Sequence, residues 1–152
     1  MNMSTRLEQA LLKLYNAYHT NTLNPECCKQ CAVGNIADHK DAWKNFSEHH
    51  GSVSLNYVGT VHERIGRRIN GYLPSELLQI EKTFLEACGF ETPLSKNSKR
   101  PKNPTNMDVL FQGLSETIAY LCQLEGNKNV MEYTSIFKQH SLSINVHAVV
   151  TA

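Results

Sequence analysis

Apolar residues recur along this chain with a helical period. Leu7, Leu11, Leu14 and Tyr18 follow a 4-3-4 spacing that places one apolar stripe on a helix from about Thr5 to His19, and Thr5 followed by Glu8 forms a capping-box pattern at its start. Asn24-Pro25 reads as an N-cap followed by the first helical residue, because proline lacks the N–H that a first turn leaves unpaired. This predicts a second helix carrying Cys27, Cys28, Cys31, Ala32 and Ile36, with Gly34 weakening its middle by about 1 kcal/mol relative to alanine. A third, short helix is expected from near Asp38 through Trp43 and Phe46 to His49-His50-Gly51, and Ser52 to Leu55 reads as a short extended piece. Val58, Val61, Ile65 and Ile69 predict a fourth amphipathic helix ended by Asn70-Gly71. A fifth runs from about Pro74 to Cys88, with Leu77, Ile80, Phe84, Leu85 and Cys88 inward and Gly89 at the turn that follows.

Residues 91–104 hold three prolines around a basic run and predict the one long loop. Thr105 with Asp108 opens a sixth helix, whose Val109, Leu110, Leu114, Ile118, Leu121 and Cys122 form the longest apolar stripe, closed by Gly126. Asn129 caps an expected seventh helix with Val130, Tyr133, Ile136 and Phe137. The tail 141–152 alternates weakly and is expected to be disordered or to pair with a partner. With helical spacing dominant and hairpin signals rare, the pattern predicts an all-α, single-domain helical bundle of about six or seven helices over residues 1–140.

Composition agrees with a folded domain. In 152 residues there are eight Gly and five Pro, too few for a collagen-like or low-complexity chain, and a chain of this size buries about 70% of its extended surface. The net charge of +1 supplies no broad field for nucleic acid or an anionic membrane, which makes a nucleic-acid partner unexpected. The basic clusters Arg64, Arg67 and Arg68 and Lys96, Lys99, Arg100 and Lys102 read as a solvated helix face and a solvated loop. No apolar run is long enough for a membrane span, and Glu8 interrupts the N-terminus before a signal peptide could form, so a cytoplasmic location without a membrane partner is the expectation.

Candidate chemistry gathers at one place. Cys27, Cys28 and Cys31 are three of the five cysteines, and either Cys28 with Cys31 or Cys27 with Cys31 could clip a single metal ion, zinc or iron. Three thiols do not close a structural site. The remaining ligand would come from His19, His39, His49, His50 or His62, or from Cys88 or Cys122, and spacing does not choose among them. Cys28 and Cys31 are the first choice of ligands, with Cys27 as a substitute and His19, His39 or His62 as completions. The same Cys-x-x-Cys at a helix start would also suit a redox thiol, although the strand that precedes such pairs in thioredoxin-like folds is missing. A third use of these cysteines is as small buried apolar residues. His62-Glu63-Arg64-Ile65-Gly66 begins like a zinc-protease motif but has glycine where the second histidine ligand belongs.

Leu14-Tyr15-Asn16-Ala17-Tyr18-His19, Asn24-Pro25-Glu26-Cys27-Cys28-Lys29-Gln30-Cys31-Ala32-Val33-Gly34-Asn35-Ile36 and Leu55-Asn56-Tyr57-Val58-Gly59-Thr60-Val61-His62 together resemble a family of small bacterial proteins of about this length. Some members of that family are named after the NADH-oxidising subunit of the sodium-translocating NADH-quinone reductase. That reductase subunit has a membrane anchor, a ferredoxin domain with a Cys-x5-Cys-x2-Cys run, and a flavin- and NADH-binding domain. This chain contains no Cys-x5-Cys, so the resemblance implies no flavin, NADH or sodium site at any residue here. What the sequence predicts is a small helical binding or regulatory module rather than an enzyme, built around a Cys/His metal site near Cys27, Cys28 and Cys31. A redox accessory protein and a homodimerising structural module are the alternatives.

Overall fold

The computed structural model describes residues 4–126 and is all-α there. Five α-helices occur among the described residues: α1 (Thr5–His19), α2 (Ala32–Ile36), α3 (Tyr57–Arg64), α4 (Pro74–Ala87) and α5 (Met107–Leu124), with a 3-10 turn at Ala42–Phe46. The expected seventh helix and the tail lie outside the described residues. No strand forms among them; Ser52 to Leu55 is irregular, and the sole extended pairing is an isolated bridge between Ile69 and Tyr72. No helix among the described residues is long and apolar enough to cross a membrane.

The three long helices follow their apolar stripes. In α4, Leu77, Ile80, Phe84 and Leu85 are fully buried, and in α5 so are Leu121 and Cys122. The two helices pack closely because Gly113 leaves room for Phe84 and the Cys88 thiol. α1 lies against α2 and α5. The caps fall beside the residues their patterns suggested: the Ser4 hydroxyl, not Thr5, accepts from the Leu7 N–H at 3.2 Å, and the Asn106 side-chain carbonyl, not Thr105, accepts from the Asp108 N–H at 2.8 Å. At the start of α4, Pro74 needs no N–H partner and the Glu76 carboxylate takes the Leu73 N–H at 2.9 Å.

The short elements depart from their sequence pattern. No helix begins at Asn24-Pro25. The Asn24 side chain accepts from the Glu26 N–H, and the Asn24 N–H closes a loop on the Gln30 carbonyl at 2.8 Å. Side chains claim two carbonyls of this turn. The Trp43 indole donates to Cys28 O and the Asn35 amide to Gln30 O, while Cys31 O keeps its helical bond from the Asn35 N–H at 3.0 Å. The helix therefore starts only at Ala32, with Cys31 as its N-cap. Asp38 and His39 are left-handed, at φ of 59° and 65°, so Asp38 does not cap the third element; that element shrinks to the 3-10 turn after Asp41.

α3 is inside out relative to its pattern. Of its apolar stripe, Ile65 is 65% exposed and Val58 and Val61 are also open, as is the neighbouring Tyr57 at 83%, whereas its small and polar residues face the protein. Gly59 sits against the Phe46 carbonyl, His62 lies on the Phe46 ring, and the Glu63 carboxylate accepts from both the backbone N–H and the hydroxyl of Ser75 at 2.9 and 2.8 Å. Two charge-assisted hydrogen bonds to a helix start outweigh the burial of two or three aliphatic side chains that remain half covered. The helix ends at Gly66, which is left-handed, and Ile69 belongs to the bridge rather than to α3.

Candidate functional site

Cys31 is wholly buried at the N-cap of α2, where its sulphur accepts from the Gly34 N–H at 3.3 Å. Opposite it, α4 presents Glu81, the one acidic residue on that helix with no exposed surface. One Glu81 oxygen accepts from the Val33 N–H at 3.2 Å, and the other lies 2.7 Å from His50 Nε2. His50 comes from the segment after the 3-10 turn, and its ring packs edge-on against Trp43 at 5.7 Å between centroids. The Cys31 sulphur, a His50 ring nitrogen and a Glu81 oxygen all lie within 4.8 Å of one another. Among the described residues this is the grouping with metal-ligating geometry.

Burial pushes the Cys31 thiol well above its ordinary pKa, and the Glu81 carboxylate beside it adds to the shift; the Gly34 N–H opposes them and does not prevail. Cys28, half-buried, is raised by burial first and by Glu81 second. Buried in apolar surroundings, Cys88 is pushed up to about 12 and Cys122 to about 11. These are neutral acids whose folded pKa exceeds the unfolded value of about 8.5, so the folded state holds its protons more tightly. The associated stability is fully present below about pH 8.5 and is lost as pH rises through the folded values. In reductant, the urea midpoint of metal-free protein is expected to be lower at pH 10 than at pH 7.5; equal midpoints would show that the buried thiols ionise alike in both states.

The sequence candidates separate in space. Cys28 lies in the turn before Cys31, its carbonyl 3.7 Å from the Cys31 sulphur, and together with His50, Trp43 and His49 it lines an open cleft of about 310 Å³. Cys27 is half-buried in the same turn, its carbonyl accepting the N–H groups of Gln30 and Cys31. His19 is exposed at the end of α1 and stacks on Tyr15 at 4.2 Å. His39 lies on the surface, its ring 3.3 Å from the Lys29 carbonyl. His62 faces Phe46 on α3, with a buried Nδ1 that has no partner. The histidine that joins Cys31 is thus His50, from the wider set of possible completions, and none of His19, His39 and His62 belongs to that grouping.

Glu81 is the member that sequence reasoning missed. Its signal was its register: a carboxylate four residues after Leu77 and three before Phe84 sits inside the apolar stripe of α4. An acid there must be paired or ligated, since an unpaired buried carboxylate costs several kcal/mol. Comparison of the chain with protein families, with curated proteins and with solved structures gives no match.

Proposed function

We propose that this protein is a small helical metal-binding module, its ion held by Cys31 Sγ, an imidazole nitrogen of His50 and the carboxylate of Glu81. The observation that carries this reading is the convergence of a thiol, an imidazole and a carboxylate from three separate segments on one buried point. Sulphur, nitrogen and oxygen donors of this kind suit a borderline-soft divalent ion, zinc before iron. In the metal-free contacts His50 and Glu81 share a hydrogen bond, and burial keeps the proton on the Cys31 thiol. A metal ion would replace these protons, leaving imidazole neutral and sulphur as thiolate. The redox alternative finds no support in the site, because burial withholds thiolate from Cys28 and Cys31 near neutral pH.

The test is metal analysis of untagged protein, followed by cobalt substitution. About one zinc-class ion per chain is expected, with a thiolate-to-cobalt absorption band that disappears in Cys31→Ser. His50→Ala should weaken binding by about 100-fold or more, since even residues that merely orient ligands contribute about 10- to 100-fold. Affinity should rise with pH by about tenfold per unit for each proton released. Protein that takes up neither zinc, iron nor cobalt would overturn the reading.

A further inference from the structure

We infer that Cys28 supplies the fourth ligand of this metal site, turning its sulphur from the cleft onto the ion held by Cys31, His50 and Glu81. The inference rests on the metal reading above and specifies how that site is closed. Three protein ligands leave a tetrahedral zinc-class ion one position short. Cys31 and Glu81 are both fully buried, whereas His50 is also part of the cleft wall, so the cleft is the side from which a further ligand can approach. Besides Cys28 and His50, its walls carry two side chains able to ligate, Glu48 and His49, and both are exposed. The Trp43 indole is a donor only and is engaged with Cys28 O at 3.0 Å, and Lys44 is paired with Asp41 at 3.0 Å.

The Cys28 backbone is anchored directly to the site. The Trp43 hydrogen bond fixes the same Cys28 carbonyl that lies 3.7 Å from the Cys31 sulphur. From that anchor, rotation about the Cα–Cβ bond carries the Cys28 sulphur among its staggered positions with no backbone movement. The Cys-x-x-Cys spacing is the one by which paired thiolates commonly grip zinc. On binding, each thiol releases its proton to solvent as its sulphur takes up the ion, and the half-buried Cys28 thiol leaves the cleft. Cys27 provides an internal control: it is equally half-buried and adjacent in sequence, but it is not among the residues that line the cleft.

Two readouts on full-length protein test this. In the unaltered protein, saturating zinc should slow iodoacetamide labelling of Cys28 by at least about tenfold, read by mass spectrometry, while Cys27 labels at its metal-free rate. In Cys28→Ser, the thiolate-to-cobalt band should fall to about half its intensity and cobalt should bind at least about tenfold more weakly. The labelling result does not depend on the variant folding, and matching urea midpoints of the two metal-free proteins would establish that it does fold. Full cobalt affinity and undiminished band intensity in Cys28→Ser, with Cys28 still labelled freely in zinc, would overturn the inference and leave the three-ligand site standing, its fourth position taken by water or His49. Absence of any cobalt spectrum in the unaltered protein would overturn both.

Discussion

Replacing Glu81 with alanine is expected to destabilise the metal-free fold by about 3–5 kcal/mol, the combined scale of a buried acceptor taken from two hydrogen-bond partners and a cavity left in the core. Three effects add up at this position. The Val33 N–H loses its 3.2 Å acceptor near the start of α2, His50 loses its 2.7 Å partner while only 15% of its side chain is exposed, and truncation leaves a void in the layer between α2 and α4. For a domain whose whole stability is about 5–15 kcal/mol, this is a large fraction. Glu81→Gln keeps the shape and one carbonyl oxygen for Val33, so its loss should be nearer 1–2 kcal/mol, while its cobalt affinity should fall as far as that of His50→Ala. Urea unfolding of the two variants beside the unaltered protein measures the difference. A loss below about 1 kcal/mol in Glu81→Ala would mean that the buried pair is only as good as the apolar contacts that replace it.

Gly34→Ala is the second large effect, and its sign distinguishes local propensity from packing. By propensity alone, alanine at a helical glycine adds about 1 kcal/mol. In this fold the new Cβ would lie 2.5 Å from both the Cys28 carbonyl oxygen and the Lys29 carbonyl carbon. These are backbone atoms, and Cys28 O is already held by Trp43, so the turn can yield only by moving as a unit. A destabilisation of about 2–3 kcal/mol is expected in place of the gain. Because that turn carries Cys28 towards Cys31, cobalt affinity should fall in the same variant, although no ligand has been changed. A Gly34→Ala protein with a raised urea midpoint and unchanged cobalt binding would contradict the close approach.

The same contrast runs through the molecule. α1, α4 and α5 each span at least 14 residues, long enough for an apolar stripe to repeat several times, and each buries the residues its spacing marks except Tyr18 and Val109, which are only partly covered. Over α2, the 3-10 turn and α3 the stripe is only one or two turns long. There, single hydrogen bonds donated by Trp43 and Asn35 and accepted by Glu63 decide where a helix begins and which side it turns inward. Val58, Val61, Ile65 and Ile69 were legible as a stripe, but neither its direction nor its end before Ile69 was, because periodicity shows that a helix has two faces without showing what lies against either. Likewise, the cysteine cluster was legible as a concentration of ligands. Its partners were not, since His50 lies 19 residues beyond Cys31 and Glu81 a further 31.

By itself, then, the sequence determined the all-α class, the three long helices with their buried faces, and the segment where thiol chemistry is concentrated. Tertiary structure alone decided which carbonyls remain free for helix formation, which face of α3 is covered, and that Cys31 rather than Cys27 meets a histidine and a carboxylate. The physical reason is range: helical periodicity is encoded in neighbours three and four residues apart, whereas the fate of a buried proton, thiol or carboxylate depends on side chains brought together from segments tens of residues away.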